Sequence, residues 1–367
     1  MKLGCAVWCF TAPQYQAPYE PAIHTIGKMG FDTIELIAHN QKDVDVYYTN
    51  EKIRELRHLI ASYGMELSQF AIYTELTQGL ASINEEIREE ALNNFEKMVK
   101  IGYELGTGMI NMVSNWVNGY ECQVQYLPNY WSPFLGGGAF AELTQNMKMP
   151  KDYDGEIIWK EYIQTIQRCV DICKKYGMRF NIEGHANVIV GNSDAMLRMF
   201  DSISDPALGI NLDVAWHMIQ REYIPMVIEK LGKKIFHVHM RDGDGIGNYG
   251  LPPGRGINNW EDTFASLKKV GFDGSVSFEL SHYMEPEKVI GDAQQFVKKL
   301  WKNLVVKWRR IFMQEGIEER YFVSESNSAS FKIFVHEYSS PLHWHKYLEI
   351  LYILEGRVLV SINGKER

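Results

Sequence analysis

Residues 208–240 read LGINLDVAWHMIQREYIPMVIEKLGKKIFHVHM. The two ends of this stretch, 208–214 and 235–240, are short runs of branched and apolar residues with polar residues interleaved at every second place. A longer segment separates them. A strand, a connector and a second strand of the same kind make up the repeating unit of parallel sheets. Reading outward in both directions, the unit recurs. Strands are expected at 3–8, 33–37, 66–72, 108–113, 179–184, 208–214, 235–240 and 275–280, with amphipathic helical segments such as 51–63, 85–105, 157–176 and 260–270 between them. Gly64, Gly102 or Gly106, Gly177 and Gly271 stand where such helices need a left-handed end. Eight strands in eight units fit a closed (β/α)8 TIM barrel, an α/β fold, better than an open sheet.

Barrel strands are buried on both faces, so apolar residues mark the side turned to the helices and parity identifies the inward side. In 179–184 the outward residues are Phe180 and Ile182, leaving Asn181 and Glu183 inward. In 208–214 they are Ile210, Leu212 and Val214, leaving Asn211 and Asp213. In 235–240 they are Phe236, Val238 and Met240, leaving His237 and His239. In 275–280 they are Val276, Phe278 and Leu280, leaving Ser275, Ser277 and Glu279. Four successive strands thus aim a carboxylate or an imidazole into the barrel near the carboxyl ends, where barrel active sites lie. Three carboxylates meeting there repel one another and lose hydration unless a cation or protons compensate them. A divalent metal is the simplest solution. Oxygen ligands with one imidazole suit Mn²⁺ or Mg²⁺, and permit Co²⁺, Zn²⁺ or Fe²⁺.

IEGH (182–185), LDVAW (212–216), HVHMRD (237–242), the PPGRG loop (252–256) with Trp260, and SFEL (277–280) together resemble the sugar phosphate isomerase/epimerase family of xylose isomerase-like barrels. The resemblance covers about residues 1–300. It implies Glu183, Asp213, His239 and Glu279 as metal ligands, with His239 chosen from the HVH pair and His237 behind it. It also implies Glu183 and Glu279 as general base and general acid on opposite faces of a substrate carbon. His185 matches a substrate-facing histidine. Where several ketose epimerases carry a histidine three residues beyond the aspartate, this chain has Trp216 followed by His217, and both are candidate substrate contacts. The implied chemistry is proton abstraction beside a metal-bound carbonyl, through an enediolate, on a small sugar, sugar phosphate or polyol ketone. Isomerisation, epimerisation and an inosose-type dehydration share that step. Arg241 and Arg255 are candidates for a substrate carboxylate or phosphate, with solvated surface charge as the alternative for each. Two further readings use the same barrel: a zinc phosphodiesterase similar to endonuclease IV, and a sugar-binding barrel without turnover. The family also implies a homodimer or homotetramer.

Composition bounds these readings. The 367 residues carry a net charge of -8, which disfavours nucleic acid as a partner because a polyanion is held by a basic surface. No run is long and apolar enough to suggest a membrane span. The start, MKLGCAVWCF, is too short for a signal-peptide core with a cleavage site, and an odd cysteine count of 5 argues for the cytosol over a disulfide framework. Cys169 and Cys173, four apart on a helix, are expected to pack on the core rather than bind metal.

Two regions break the repeat. Residues 116–156 carry Trp116, Tyr120, Tyr126, Tyr130, Trp131, Phe134 and a Gly136-Gly137-Gly138 run without helical period, and a long loop after a barrel strand is expected to act as a lid or a subunit contact. The glycines lack the lysine and the strand-helix setting of a phosphate loop. From about 313 to 367 the period changes to short strands, and His343, His345, Glu349 and Gly356 have the spacing of a first cupin motif, resembling the start of an AraC-type sensor domain. The expected division is therefore 1–312 for the barrel and 313–367 for an incomplete cupin-like β segment that binds no metal of its own.

Overall fold

The computed structural model describes residues 1–117 apart from Pro13, then 121–122, 147–148, 151, 153–245, 250–280, 283–314, 361–362 and 365–366. Eight parallel strands close into one barrel: β1 Lys2–Ala6, β2 Thr33–Ala38, β3 Glu66–Ile72, β4 Met109–Val113, β5 Arg179–Glu183, β6 Leu208–Asp213, β7 Ile235–Met240 and β8 Ser275–Phe278. Each strand pairs with the next in sequence, and β8 returns to β1 through Lys2↔Ser275 and Gly4↔Ser277. A small antiparallel pair, 121–122 with 147–148, lies within the long insertion after β4.

Helices between the strands follow local signals. Asn84, Asp154, Asn192 and Asn259 each cap a helix by accepting backbone N–H bonds with their side chains. Of the two glycines offered for the end of the 85–105 helix, Gly106 takes the left-handed conformation, with φ of 90°. Gly102 is instead buried in the helix, where an added Cβ would come within 2.7 Å of Ile110 on β4. Cys169 and Cys173 are fully buried on the inner face of the 155–175 helix, and burial raises both thiols. That is core packing, as expected.

Several strand bounds differ by one or two residues, and two of the shortened ends lie where the chain begins to build a site. β1 ends at Ala6, because Val7 turns into helical conformation and starts a short helix at Trp8. Likewise β6 ends at Asp213, whose carboxylate accepts the Trp216 backbone N–H at 2.9 Å and caps a helix beginning at Val214.

Inside the barrel the filling is polar. Glu35, Gln69, Asn111, Asn181, Asn211, His237 and Ser277 are all buried, whereas barrel interiors are usually filled by branched apolar side chains. Some of these polar groups are linked: Asn181 donates to Gln69 at 3.2 Å, and Gln69 donates to Glu35 at 2.7 Å. The outward residues Ile182, Ile210, Leu212, Val238 and Phe278 are wholly buried against the helices.

The compact unit Met1–Lys298 contains the whole barrel, and Lys299–Arg367 forms a second unit. In the second, 361–362 pairs with 365–366 in an antiparallel turn. His343, His345 and Glu349, with the other residues of the cupin-like motif, lie outside the described residues. So do Tyr120, Tyr126, Tyr130, Trp131, Phe134 and the three glycines of the insertion.

Candidate metal centre and active site

Glu183, Asp213, His239 and Glu279 come together at the carboxyl ends of β5 to β8. One potential ligand atom from each lies within 4.8 Å of the others. The register explains the convergence. Asp213 pairs with His239, and His239 pairs with Ser277, so Glu279, just beyond β8, stands one inward step further up. His239 Nδ1 is 2.9 Å from Glu279 Oε2, 3.3 Å from Glu183 Oε2 and 3.9 Å from Asp213 Oδ2.

Each ligand candidate is held from behind. Glu183 Oε2 accepts from Asn111 at 2.9 Å and from Asn211 at 2.7 Å, while its Oε1 lies 2.9 Å from His185 Nε2. Gly184, the next residue, allows this end of β5 to approach the 191 backbone: an added Cβ would lie 2.3 Å from the Gly191 carbonyl oxygen. Glu279 Oε1 accepts from the indole N–H of Trp8 at 3.1 Å. His239 Nε2, turned down the barrel, is 3.0 Å from Glu35 Oε2.

Arg241 lies in the same cluster. It is 8% exposed, its Nε donates to Asp213 Oδ2 at 2.7 Å, and its Nη2 pairs with both Asp213 and, at 3.1 Å, Glu279. The guanidinium also lies 5.6 Å from the centre of the Trp216 ring. Trp216 stacks on His185 with centroids 4.2 Å apart. Thus His185, Trp216 and Arg241 all border the four candidate ligands.

Two of the expected substrate contacts are placed elsewhere. His217 follows Trp216 on a helix, so it points about 100° away. Its Nδ1 sits 2.5 Å from Glu222, which also accepts from Ser193. Arg255 is exposed at the turn after Pro252, and among the described residues no hydrogen bond or ion pair joins its side chain to the cluster. His237, also a candidate substrate contact, lies below His239 in the barrel, 3.0 Å from Asn211 and 3.5 Å from Glu35.

The electrostatics follow from packing charges into a dry interior. Burial pushes Asp213 up, against the lowering effect of Arg241 and with the help of Glu279 and Glu183, to about 7. Burial also disfavours the Glu279 carboxylate, but Arg241 and His239 outweigh it and bring Glu279 down to about 2. Glu183 is likewise held well below the ordinary range, because His239 and His185 outweigh burial. For His239 burial lowers the pKa, yet Glu279, Glu35 and Glu183 drive it well above its usual value. His237 falls to about 4, chiefly by burial. A proton on His239 and the guanidinium of Arg241 therefore provide the positive charge that the carboxylates demand. This donor set fits a divalent cation: three carboxylates and an imidazole, all buried except the partly exposed Glu279, at mutual distances that one ion can span.

A family model described as a xylose isomerase-like TIM barrel matches residues 23–300. The chain belongs to this family. Members similar to it include the D-psicose 3-epimerase of Ruminiclostridium cellulolyticum, 20% identical over 332 residues that cover 90% of this chain and 95% of the relative. The fructoselysine 3-epimerase of Shigella flexneri is 21% identical over 287 residues, covering 76% and 90%. Among solved structures, D-psicose 3-epimerase with D-tagatose from Clostridium cellulolyticum aligns with a TM-score of 0.64 at 17% identity, covering 82% of this chain and 99% of that one. An L-ribulose 3-epimerase aligns with a TM-score of 0.65 at 15% identity, covering 84% and 97%. At such identities the structural likeness concerns the xylose isomerase-like fold.

Several residues of this site lie outside the four strands that carry the motifs: Glu35, Gln69, Asn111 and Trp8. For Glu35 the signal is present. In TIELI (33–37) Ile34 and Leu36 face the helices, which leaves Glu35 inward by the same rule that finds Glu183. Asp242 supports the site from the loop side. Wholly buried, it accepts from the backbone N–H of Gly254 and Asn258 and from the Trp260 indole at 2.8 Å, tying down the PPGRG loop.

Proposed function

We propose that this protein is a divalent-metal-dependent sugar isomerase or epimerase that inverts or relocates a centre beside a carbonyl, with Glu183, Asp213, His239 and Glu279 as the ligands. The reading rests on one observation: three buried donors and the partly exposed Glu279, from four consecutive strands or their ends, meet at the catalytic end of the barrel. The relatives similar to this chain add support, since they include a D-psicose 3-epimerase and a fructoselysine 3-epimerase.

A divalent ion bound there supplies positive charge to the oxygens of a hydroxycarbonyl substrate, which makes the neighbouring C–H acidic. The chain's own residues do the rest. Glu183 and Glu279 enter from different strands, and each keeps one oxygen anchored, on Asn111 and Asn211 or on the Trp8 indole. One removes the proton from the substrate carbon and the other returns it, on the opposite face for epimerisation. His185, backed by the Trp216 ring, stands beside Glu183 Oε1 and holds or exchanges its proton. Arg241 offers a buried fork to a substrate oxygen and limits repulsion between Asp213 and Glu279.

Incubating the Mn²⁺-loaded protein with ketoses, aldoses and inososes in D₂O should place deuterium at a carbon next to the carbonyl in at least one sugar, read by mass and NMR. Complete absence of exchange across the panel, with metal bound, contradicts the proposal. Loss of water from an inosose instead of exchange into a sugar points to dehydration at the same site.

We further propose that residues 1–312 carry this activity in the cytosol, and that 313–367 bind no metal. Free, buried Cys5, Cys9, Cys169 and Cys173 support a reducing compartment. A chain cut near 312 should retain its full metal content. Loss of a second stoichiometric metal on cutting contradicts this division.

A further inference from the structure

The geometry points to Glu35, on β2, as the residue that aims His239 at the metal. This role rests on the metal-site reading above.

A neutral imidazole has one N–H and one lone pair, on opposite nitrogens, so whatever fixes the N–H fixes the direction of the lone pair. The two nitrogens of His239 face different surroundings. Nδ1 faces Glu279 at 2.9 Å and Glu183 at 3.3 Å, the other proposed ligands. Nε2 faces down the barrel to Glu35 Oε2 at 3.0 Å. With the proton on Nε2 and donated to Glu35, the Nδ1 lone pair points into the cluster. The neighbouring amides do not choose between the nitrogens, since Asn211 Nδ2 lies 3.0 Å from Nδ1 and 3.3 Å from Nε2 and Gln69 Nε2 lies 3.3 Å from Nε2, so the direction rests on Glu35 as the carboxylate acceptor at Nε2.

Glu35 is built for this task. It has no exposure, and its strand is separated from β7 by β8 and β1, so its side chain reaches across the interior to the histidine. Its Oε2 is fixed in place by the amide of Gln69 at 2.7 Å, and its Oε1 lies 3.5 Å from His237 Nε2. A buried carboxylate is retained only where a partner compensates it. The cationic or hydrogen-bonding groups beside it include His239, His237, Gln69 and Ser277. Carboxylates that orient a metal-bound histidine from behind tune affinity as well as geometry.

Glu35, His237 and His239 also have donors within 4.8 Å of one another. They share His239 with the four-residue cluster, however, and a ring whose Nδ1 holds the ion has only its N–H left to offer Glu35. Glu35 is thus a positioning residue, not a ligand.

Two measurements test this. In the Zn²⁺-loaded wild type, ¹⁵N NMR of His239 should show Nδ1 as the metal-bearing nitrogen and a slowly exchanging proton on Nε2. By calorimetry, Glu35→Leu should weaken Mn²⁺ binding by about 10- to 100-fold, and Glu35→Gln, which keeps an acceptor without the charge, by less. Metal on Nε2, or wild-type affinity in both variants, overturns the assignment. So does uptake of two Mn²⁺ per chain with one lost in Glu35→Leu, which would make Glu35 a ligand. The NMR arm needs no variant, so a Glu35→Leu that fails to fold leaves the question decidable. A wild type that binds no divalent ion sinks the metal reading itself, whereas unchanged variants sink only the role of Glu35.

Discussion

Replacing Glu279 by glutamine should lower turnover by about 10²- to 10⁴-fold at saturating Mn²⁺, the range supplied by a positioned proton-transfer group and equivalent to about 3–5 kcal/mol of barrier. The substitution is nearly isosteric. The side-chain carbonyl of the introduced glutamine can still accept the Trp8 indole N–H, which now reaches Glu279 Oε1 at 3.1 Å. What disappears is the second oxygen's charge and basicity, the part of the group that faces His239 and Arg241. Circular dichroism should keep the wild-type spectrum, while the denaturant midpoint falls, because the introduced amide faces the donors His239 and Arg241. Mn²⁺ is titrated to saturation so that weaker metal binding does not masquerade as slower chemistry. Near-normal turnover under these conditions would remove Glu279 from the proton-transferring pair. The corresponding change at Glu183 is less informative, because a glutamine amide there would face the donors of Asn111, Asn211 and His185.

The contrast between these two glutamates shows how far strand parity can be read. Glu183 and Glu279 are visible in sequence because apolar residues on either side, Phe180 and Ile182, or Phe278 and Leu280, declare the outward face. The same alternation places Asp213 and His239, and with them the barrel. Glu35 obeys the rule in β2 but has no metal-like motif around it, so only its meeting with His239 across the interior gives it meaning. Trp8 falls in the first strand by its apolar surroundings; it begins a short helix, and its contact with Glu279 spans almost the whole barrel sequence. Such contacts depend on ring closure, which no local pattern encodes. His217 departs from expectation for the opposite reason. Its neighbour Trp216 carries the motif, and one residue along a helix is enough to turn a side chain to Glu222 instead. Loop position alone points to Arg255, and the loop holds its own backbone through Asp242 while leaving that arginine exposed.

The charges of the site also set how metal affinity should vary with pH. In the metal-free protein His239 is driven well above its ordinary pKa by Glu279, Glu35 and Glu183, so it carries an extra proton near neutrality. Asp213, pushed up to about 7 by burial and by its acidic neighbours, carries one below that pH and none above. Glu183 and Glu279 are held low and are already ionised. A cation must displace every proton on its ligands, and each displaced proton changes affinity about tenfold per pH unit. The sign follows: binding strengthens as pH rises, with about one proton released above pH 7, from His239, and about two below it, from His239 and Asp213. Between pH 8 and pH 6 the Mn²⁺ affinity should therefore fall roughly 10³-fold, with the slope steepening near 7. Calorimetry in buffers of different ionisation enthalpy counts these protons directly. Asp213→Asn, which cannot titrate, should bind more weakly and lose the steepening while keeping the single proton of His239. An affinity independent of pH across this range, or a wild-type profile without a change of slope, would show that Asp213 and His239 do not surrender protons to the ion. The protonation assigned to them would then fall, while their place as ligands, which an ionised carboxylate and a neutral imidazole fill without releasing protons, would stand.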